Sequence, residues 1–274
     1  MRERRIHPAW IAAAITWLTL VASAGYRSAP SVLIVPLEDA FGWSRDQISL
    51  AISINILLYG ITAPFAAALM ERFTVRRVVM SALAAVSIGA FLTVFMTKPW
   101  HLILLWGVVV GIGTGSMALV FAATIASRWF MQRRGLVTGA LTAAAATGQL
   151  IFLPALSTLA MDHGWKSVSI TIASSAAVVI PLIWWGLNEQ PQDIGHKPYG
   201  APEDWVAPEK IEGHAAKNAI NALREGSKRK DFWLLFGTFF ICGLSTNGLI
   251  GTHFIPAAHD HGMGELVAAS LLAM

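Results

Sequence analysis

Long apolar runs separated by short polar stretches dominate the chain, and their lengths predict membrane-crossing helices. Such runs cover 10–37, 48–69, 78–97, 102–126, 135–161, 168–187 and 232–258, and a last one opens at Leu266. A bilayer core about 30 Å thick needs about 20 apolar residues at about 1.5 Å rise per residue, so all but the last are long enough to cross. The run opening at Leu266 reaches Met274 before it is long enough, and the pattern there predicts a chain cut short inside a span.

The first run, Trp10–Leu37, carries a full charge, Arg27. As one helix it would be about 42 Å long, enough to cross with tilt, and Pro30 and Pro36 predict a kink. An unpaired guanidinium at membrane depth costs roughly 3 kcal/mol on insertion scales, so such a residue is expected to face a protein interior or a watery cavity and to meet an anion there. The alternative is structural: Arg27 reaches the headgroups or ties helices together through backbone carbonyls. All 16 acidic residues fall outside the runs or at their ends, which leaves Arg27 as the one formal charge within them. That asymmetry favours an anionic partner over an intramembrane carboxylate relay.

Composition agrees with the pattern. With 55% hydrophobic and 13% charged residues, the chain is too apolar for a soluble domain of this length, so it reads as a polytopic membrane protein whose first run is retained. Its formal charge of +4 would point to nucleic acid in a soluble protein, but here the basic residues follow topology. Arg2, Arg4 and Arg5, then Arg72, Arg76 and Arg77, then Arg128, Arg133 and Arg134, and then the basic residues of 188–231 occupy alternate segments, whereas the opposite loops hold Arg45, Lys98 and Lys166. The positive-inside rule therefore puts the N-terminus and the 188–231 linker in the cytoplasm, of a bacterial plasma (inner) membrane, and no nucleic-acid partner is expected. The linker has Pro191, Pro198, Pro202 and Pro208 early, and a predicted helix over Glu209–Gly226 with Glu212, Lys217, Arg224 and Glu225 on a charged face. The run Lys228, Arg229, Lys230 before the next span is expected near anionic lipid.

Polar residues at membrane depth define a candidate cavity. Asn55 and Tyr59 are four apart and share a helix face, Gln149 lies in the fifth run, and Asn247 sits in a Gly-flanked polar patch predicted to interrupt the seventh. For each, interhelical hydrogen bonding is the competing role. Gly107, Gly111 and Gly115 recur every four residues and predict a smooth stripe for close helix packing. No nucleophile–base pairing, phosphate loop or metal-ligand spacing is evident, so no catalytic residue, cofactor or metal is assigned and the chain is not expected to be an enzyme. The single Cys242 excludes an internal disulfide.

The loop Glu71-Arg72-Phe73-Thr74-Val75-Arg76-Arg77 resembles the acidic-Arg-x-Gly-x-Arg-Arg signature of the major facilitator superfamily, with Glu71 where Asp is usual, Thr74 where Gly is usual, and Ala67 in place of the opening Gly. Phe41-Gly42-Trp43-Ser44-Arg45, Leu58-Tyr59-Gly60, Arg128-Trp129-Phe130, Arg133-Arg134-Gly135, Gly164-Trp165-Lys166 and Gln190-Pro191-Gln192-Asp193-Ile194-Gly195 resemble the monocarboxylate-transporter and oxalate/formate-antiporter branch. The resemblance implies an all-α membrane protein of the major facilitator fold: a complete six-helix N-terminal bundle over 1–187, a cytoplasmic linker over 188–231, and an incomplete C-terminal bundle over 232–274. It implies a conformational charge cluster of Glu71, Arg72, Arg76 and Arg77, and a substrate carboxylate at Arg27. The expected function is secondary active transport of a small organic anion by alternating access. Arg27, Asn55, Tyr59, Gln149 and Asn247 would bind it, and a coupling proton or counter-anion is a further expected partner besides the lipid bilayer. The alternatives are an efflux porter for amphipathic compounds and a truncated, non-transporting membrane protein that binds a partner.

Overall fold

The computed structural model describes residues 7–206 and 215–273. Arg2, Arg4, Arg5, Pro208 and the first part of the predicted linker helix, with Glu212 and the Lys217 side chain, lie outside the described residues. The described chain is helical: α1 Pro8–Phe41, α2 Arg45–Phe73, α3 Val75–Thr93, α4 Pro99–Trp129, α5 Arg134–His163, α6 Trp165–Gly186, α7 Ala215–Gly226, α8 Lys230–Asp260 and α9 Glu265–Ala273. The 7 longest, α1 to α6 and α8, are long and apolar enough to cross a membrane.

Local chemistry sets the ends of these helices. His7 precedes α1 and its Nδ1 accepts the Ala9 N–H at 3.2 Å, while Gly42 closes the helix in the left-handed region at φ 65°. Ser44 and Gln47 form a reciprocal capping box that starts α2 three residues later. Pro30 and Pro36 both lie inside α1 without ending it. Two spans depart from α geometry: α4 winds as a π-helix over Ile103–Val110 and breaks at Met117–Ala118, and α8 winds as a π-helix over Gly243–Ile250. The polar patch predicted to interrupt the seventh span therefore widens the helix instead of breaking it.

Small residues decide which helices meet. On α5, a Cβ added at Gly148 would lie 2.3 Å from the Val21 carbonyl, and Phe152 lies over Gly25, so α1 and α5 run in parallel with almost no space between them. Where a hydrocarbon solvent supplies little hydrophobic drive between helices, such close approach is the main source of association. The α3–α6 pair adds hydrogen bonds, from Ser87 Oγ to the Ala173 carbonyl at 2.8 Å and from Thr93 Oγ1 to Ser169 Oγ at 3.0 Å. Trp106, Trp129, Tyr26, Phe121 and Phe130 are fully buried between the helices, whereas Leu57, Phe95, Ile151 and Trp185 cover the outside. An apolar exterior around a tightly packed interior is the arrangement a bilayer requires.

The second part of the chain touches the first bundle unevenly. Thr252, Ile255 and Pro256 of α8 are buried, α9 buries Ala268 and Ala269 along α5, and the Lys230–Cys242 stretch of α8 has no buried residue.

Candidate functional site

Arg27 is half buried in α1 and its Nη1 donates to the Tyr59 hydroxyl of α2 at 3.1 Å. The guanidinium carbon lies 5.3 Å from the centre of the Tyr59 ring, so the ring quadrupole adds a cation–π attraction. Neither partner neutralises the charge. Among the described residues the ion pairs are Glu38–Arg45, Arg45–Asp260, Arg128–Glu189 and Glu225–Lys228, and none includes Arg27. A guanidinium has five N–H donors in a planar fork suited to a carboxylate, and here one nitrogen is engaged by a neutral phenol. The arrangement holds Arg27 in place and leaves it able to accept an anion.

Asn55 is buried one turn from Tyr59, and its Nδ2 donates to the Trp106 carbonyl in the π-helical part of α4 at 2.7 Å. Its amide is committed to the helix contact. Three of the four glycines of α4 lie in register beneath the same face of α2: Gly107 meets the Ala51 carbonyl, Gly111 meets Asn55, and Gly115 meets Tyr59. Four-residue spacing on both helices produces this matched row.

The other two predicted binding residues are not joined to Arg27. Gln149 follows Gly148, whose contacts with Val21 and Ala24 put it about one turn of α1 away from Arg27, and it makes no hydrogen bond to Arg27 or Tyr59. Asn247 lies in the exposed π-helical part of α8, where its carbonyl accepts from Thr252 Oγ1 at 3.0 Å.

At the end of the bundle where α1 begins, the loop between α2 and α3 is organised by a residue that sequence reasoning missed. Glu189, just after α6, accepts the Val75 N–H at 2.7 Å through Oε2 and pairs with Arg128 of α4 through Oε1. It thus caps the N-terminus of α3, where a negative charge is favourable, and ties α3, α4 and α6 together. A signal was available: a single acidic residue directly after a span, at the same end as two basic loops. Arg76 lies over the Trp184 ring and donates to the Trp184 carbonyl at 3.3 Å, while Glu71, Arg72 and Arg77 are exposed and have no ion pair among the described residues. Nearby, His7 packs against His196 and Tyr199, and burial together with the neighbouring His196 lowers its pKa from the ordinary value.

Thr74 sits between α2 and α3 at φ 113° and ψ 142°, a region that essentially only glycine adopts without strain. Its Oγ1 accepts the Arg77 N–H at 3.3 Å, which offsets part of that cost. Thr74→Gly relieves strain of about 1–3 kcal/mol and gives up a cap and some unfolded-state entropy, so a net gain of about 1 kcal/mol is expected. A thermal-unfolding midpoint in detergent that rises by a few degrees checks this, and a fall would show that the cap outweighs the strain.

At the opposite end, Arg45 makes two hydrogen bonds to Glu38 at 3.0 Å and two to Asp260 at 2.6 and 3.3 Å. The Glu38 contact joins α1 to α2, but the Asp260 contact joins the first bundle to α8.

Comparison with known proteins places this geometry in a class of membrane carriers. The profile of the Major Facilitator Superfamily matches residues 15–274, and the chain belongs to that family. It is 29% identical over 257 residues to the uncharacterized MFS-type transporter YcxA of Bacillus subtilis (strain 168), covering 92% of this chain and 58% of that protein. It is 25% identical over 273 residues to monocarboxylate transporter 11 of Mus musculus, covering 97% of this chain and 55% of that protein. The chain therefore spans little more than half the length of these relatives. A bacterial homologue of the human lysosomal transporter Spinster, solved in an inward-facing and unoccupied conformation, shares the fold with a TM-score of 0.73 at 15% identity, over 97% of this chain and 59% of that one. A D-xylose-proton symporter gives a TM-score of 0.64 at 13% identity, over 96% of this chain and 65% of that one.

Proposed function

We propose that this chain forms the first bundle and part of the second in a secondary carrier for a small organic anion of the monocarboxylate kind, working by alternating access in a bacterial inner membrane with the N-terminus cytoplasmic. The observation that carries the reading is Arg27, a cation at membrane depth held by Tyr59 with no described carboxylate beside it. A small carboxylate pairs with the free edge of the guanidinium, and Tyr59 orients that edge. Asn55 acts from behind, fixing the height of α2 against α4. Gln149 and Asn247 line the path further off, and a coupling proton or counter-anion completes the cycle. Glu71, Arg72, Arg76 and Arg77 face the basic end, where they stabilise one of the alternating states. The names of the monocarboxylate transporters among the relatives support the substrate class.

The test is uptake into proteoliposomes of labelled formate, lactate, pyruvate and oxalate, set against a cationic amphiphile and a neutral sugar. Saturable uptake confined to carboxylates supports the proposal. Transport of the amphiphile alone would replace it with the efflux reading, and no flux of any probe by stably inserted protein would favour a non-transporting partner-binding role.

Alternating access makes the Arg45–Asp260 contact the bond that must break when the outer end opens. Both side chains are partly exposed, which limits its strength by screening. Asp260→Ala is expected to raise labelling of a cysteine introduced at Ser31 by an external, impermeant maleimide about threefold, in a Cys242→Ser background. Glu38→Ala, which leaves the cross-bundle contact intact, is expected to change labelling little. Equal effects of the two substitutions would remove the gating role.

A further inference from the structure

We infer that Gly115 is a positioning residue for the anion site, setting through Tyr59 the place of the Arg27 guanidinium. The inference rests on the proposed role of Arg27 and deepens it by adding a residue that touches neither Arg27 nor the anion.

Three observations lead to it. A Cβ on Gly115 would lie 2.8 Å from the Tyr59 carbonyl oxygen, 2.9 Å from the Tyr59 Cα and 3.1 Å from the Thr62 Cβ. The first two are backbone atoms, so no side-chain rotation relieves the clash and the backbones of α2 and α4 must separate at the Tyr59 turn. Next, the Tyr59 hydroxyl accepts a hydrogen bond from Arg27 at 3.1 Å, close to the upper end of a good bond. A backbone shift of a few tenths of an ångström at Tyr59 lengthens or misaligns that bond. Finally, Asn55 is tied to the Trp106 carbonyl one turn away, so α2 cannot slide as a unit and the displacement is concentrated at the Tyr59 turn.

The remaining glycines separate this role from plain packing. Gly113 is as crowded, with Val86 Cγ2 at 2.7 Å and the Ala82 carbonyl at 2.9 Å, but it faces α3 and not the site. Gly115 also lies in the last turn of the regular part of α4, which ends at Ser116 before the break at Met117–Ala118. The segment that supports Tyr59 is thus a helix end.

The experiment is a double-mutant cycle between Gly115→Ala and Tyr59→Phe on the full-length protein, read as the half-saturating concentration for whichever of formate, lactate, pyruvate or oxalate the wild type takes up. Gly115→Ala in the wild-type background is expected to raise that concentration about five- to tenfold with the maximal rate within twofold. In the Tyr59→Phe background, where the hydroxyl is already gone, the same substitution is expected to change it less than twofold. Gly113→Ala, with membrane level and elution profile monitored alongside, is expected to leave the half-saturating concentration unchanged even where it lowers yield. An effect of Gly115→Ala that is equally large with and without the Tyr59 hydroxyl, or one matched by Gly113→Ala, would overturn the inference. If Arg27→Ala leaves uptake intact, the anion-site reading itself falls, and that result is distinct from additivity in the cycle.

Discussion

Arg27→Ala is expected to lower carboxylate uptake about 100-fold with the protein still inserted at its normal level. Truncating one member of a desolvated charge pair costs about 2–5 kcal/mol, and each 1.4 kcal/mol is tenfold in affinity. Insertion should not suffer, because the substitution removes a charge from the membrane at depth, and the hydrogen bond it deletes leaves only a phenol that other groups or water satisfy. Arg27→Lys separates charge from geometry. An ammonium keeps the positive charge but loses the planar fork, so uptake is expected to fall by about tenfold and to lose discrimination among carboxylates of different shape. The measurement is initial-rate uptake in proteoliposomes at matched protein density. Unchanged uptake in Arg27→Ala would return Arg27 to the structural role of fastening α1 to α2, and loss of inserted protein in both variants would point the same way.

Glu189→Ala is expected to produce the largest loss of stability among single substitutions at the ends of the bundle. The side chain holds two different elements at once, the N-terminus of α3 through the Val75 N–H and the guanidinium of Arg128 on α4. Both carboxylate and guanidinium are about four-fifths buried, at 20% and 22% side-chain exposure, so solvent screens the pair less than an ordinary surface ion pair. Removing the carboxylate uncaps a helix and leaves Arg128 without its counter-charge, at a cost of about 2–3 kcal/mol. Glu189→Gln keeps an acceptor for the Val75 N–H and loses the charge, so it should fall between the two. The check is the thermal midpoint in detergent. A midpoint unchanged in Glu189→Ala would show that the loop between α2 and α3 is held by the Thr74 cap and the Arg76–Trp184 contact alone. Because Glu189 lies away from Arg27, half-saturation of the transport that remains should stay near the wild-type value.

Much of the fold was legible because the bilayer permits so few solutions. Backbone polar groups in hydrocarbon must be satisfied within a helix, so run length and apolarity predict each span, and every predicted run lies within one observed helix or differs from it by a few residues at the ends. The differences have local causes. The α3 helix stops at Thr93, short of 97, where Thr93 Oγ1 turns back to the Ala90 carbonyl and across to Ser169. The linker helix is described over Ala215–Gly226, and its predicted start at Glu209 lies outside the described residues.

The site was less legible. Tyr59 and Arg27 are 32 residues apart, and only the crossing of α1 and α2 brings them together. Asn55 shares the predicted face with Tyr59, yet the proximity of α4 claims its amide. No pattern in the sequence separates a polar residue that faces a cavity from one that meets a neighbouring carbonyl, because both leave the same signature of one polar residue among apolar ones. Glu189 and the Arg45–Asp260 contact depend on partners 61 and 215 residues away.

By itself, the sequence determined the spans, the position of the single intramembrane cation and the glycine period of α4, because each follows from one helix and its solvent. Tertiary structure alone decided that Gly107, Gly111 and Gly115 meet Ala51, Asn55 and Tyr59, that among the described residues a phenol and not a carboxylate holds Arg27, and that Glu189 joins three helices. Those outcomes depend on how helices cross in three dimensions, where the approach of a carbonyl to within the space of a missing Cβ fixes which side chains can touch.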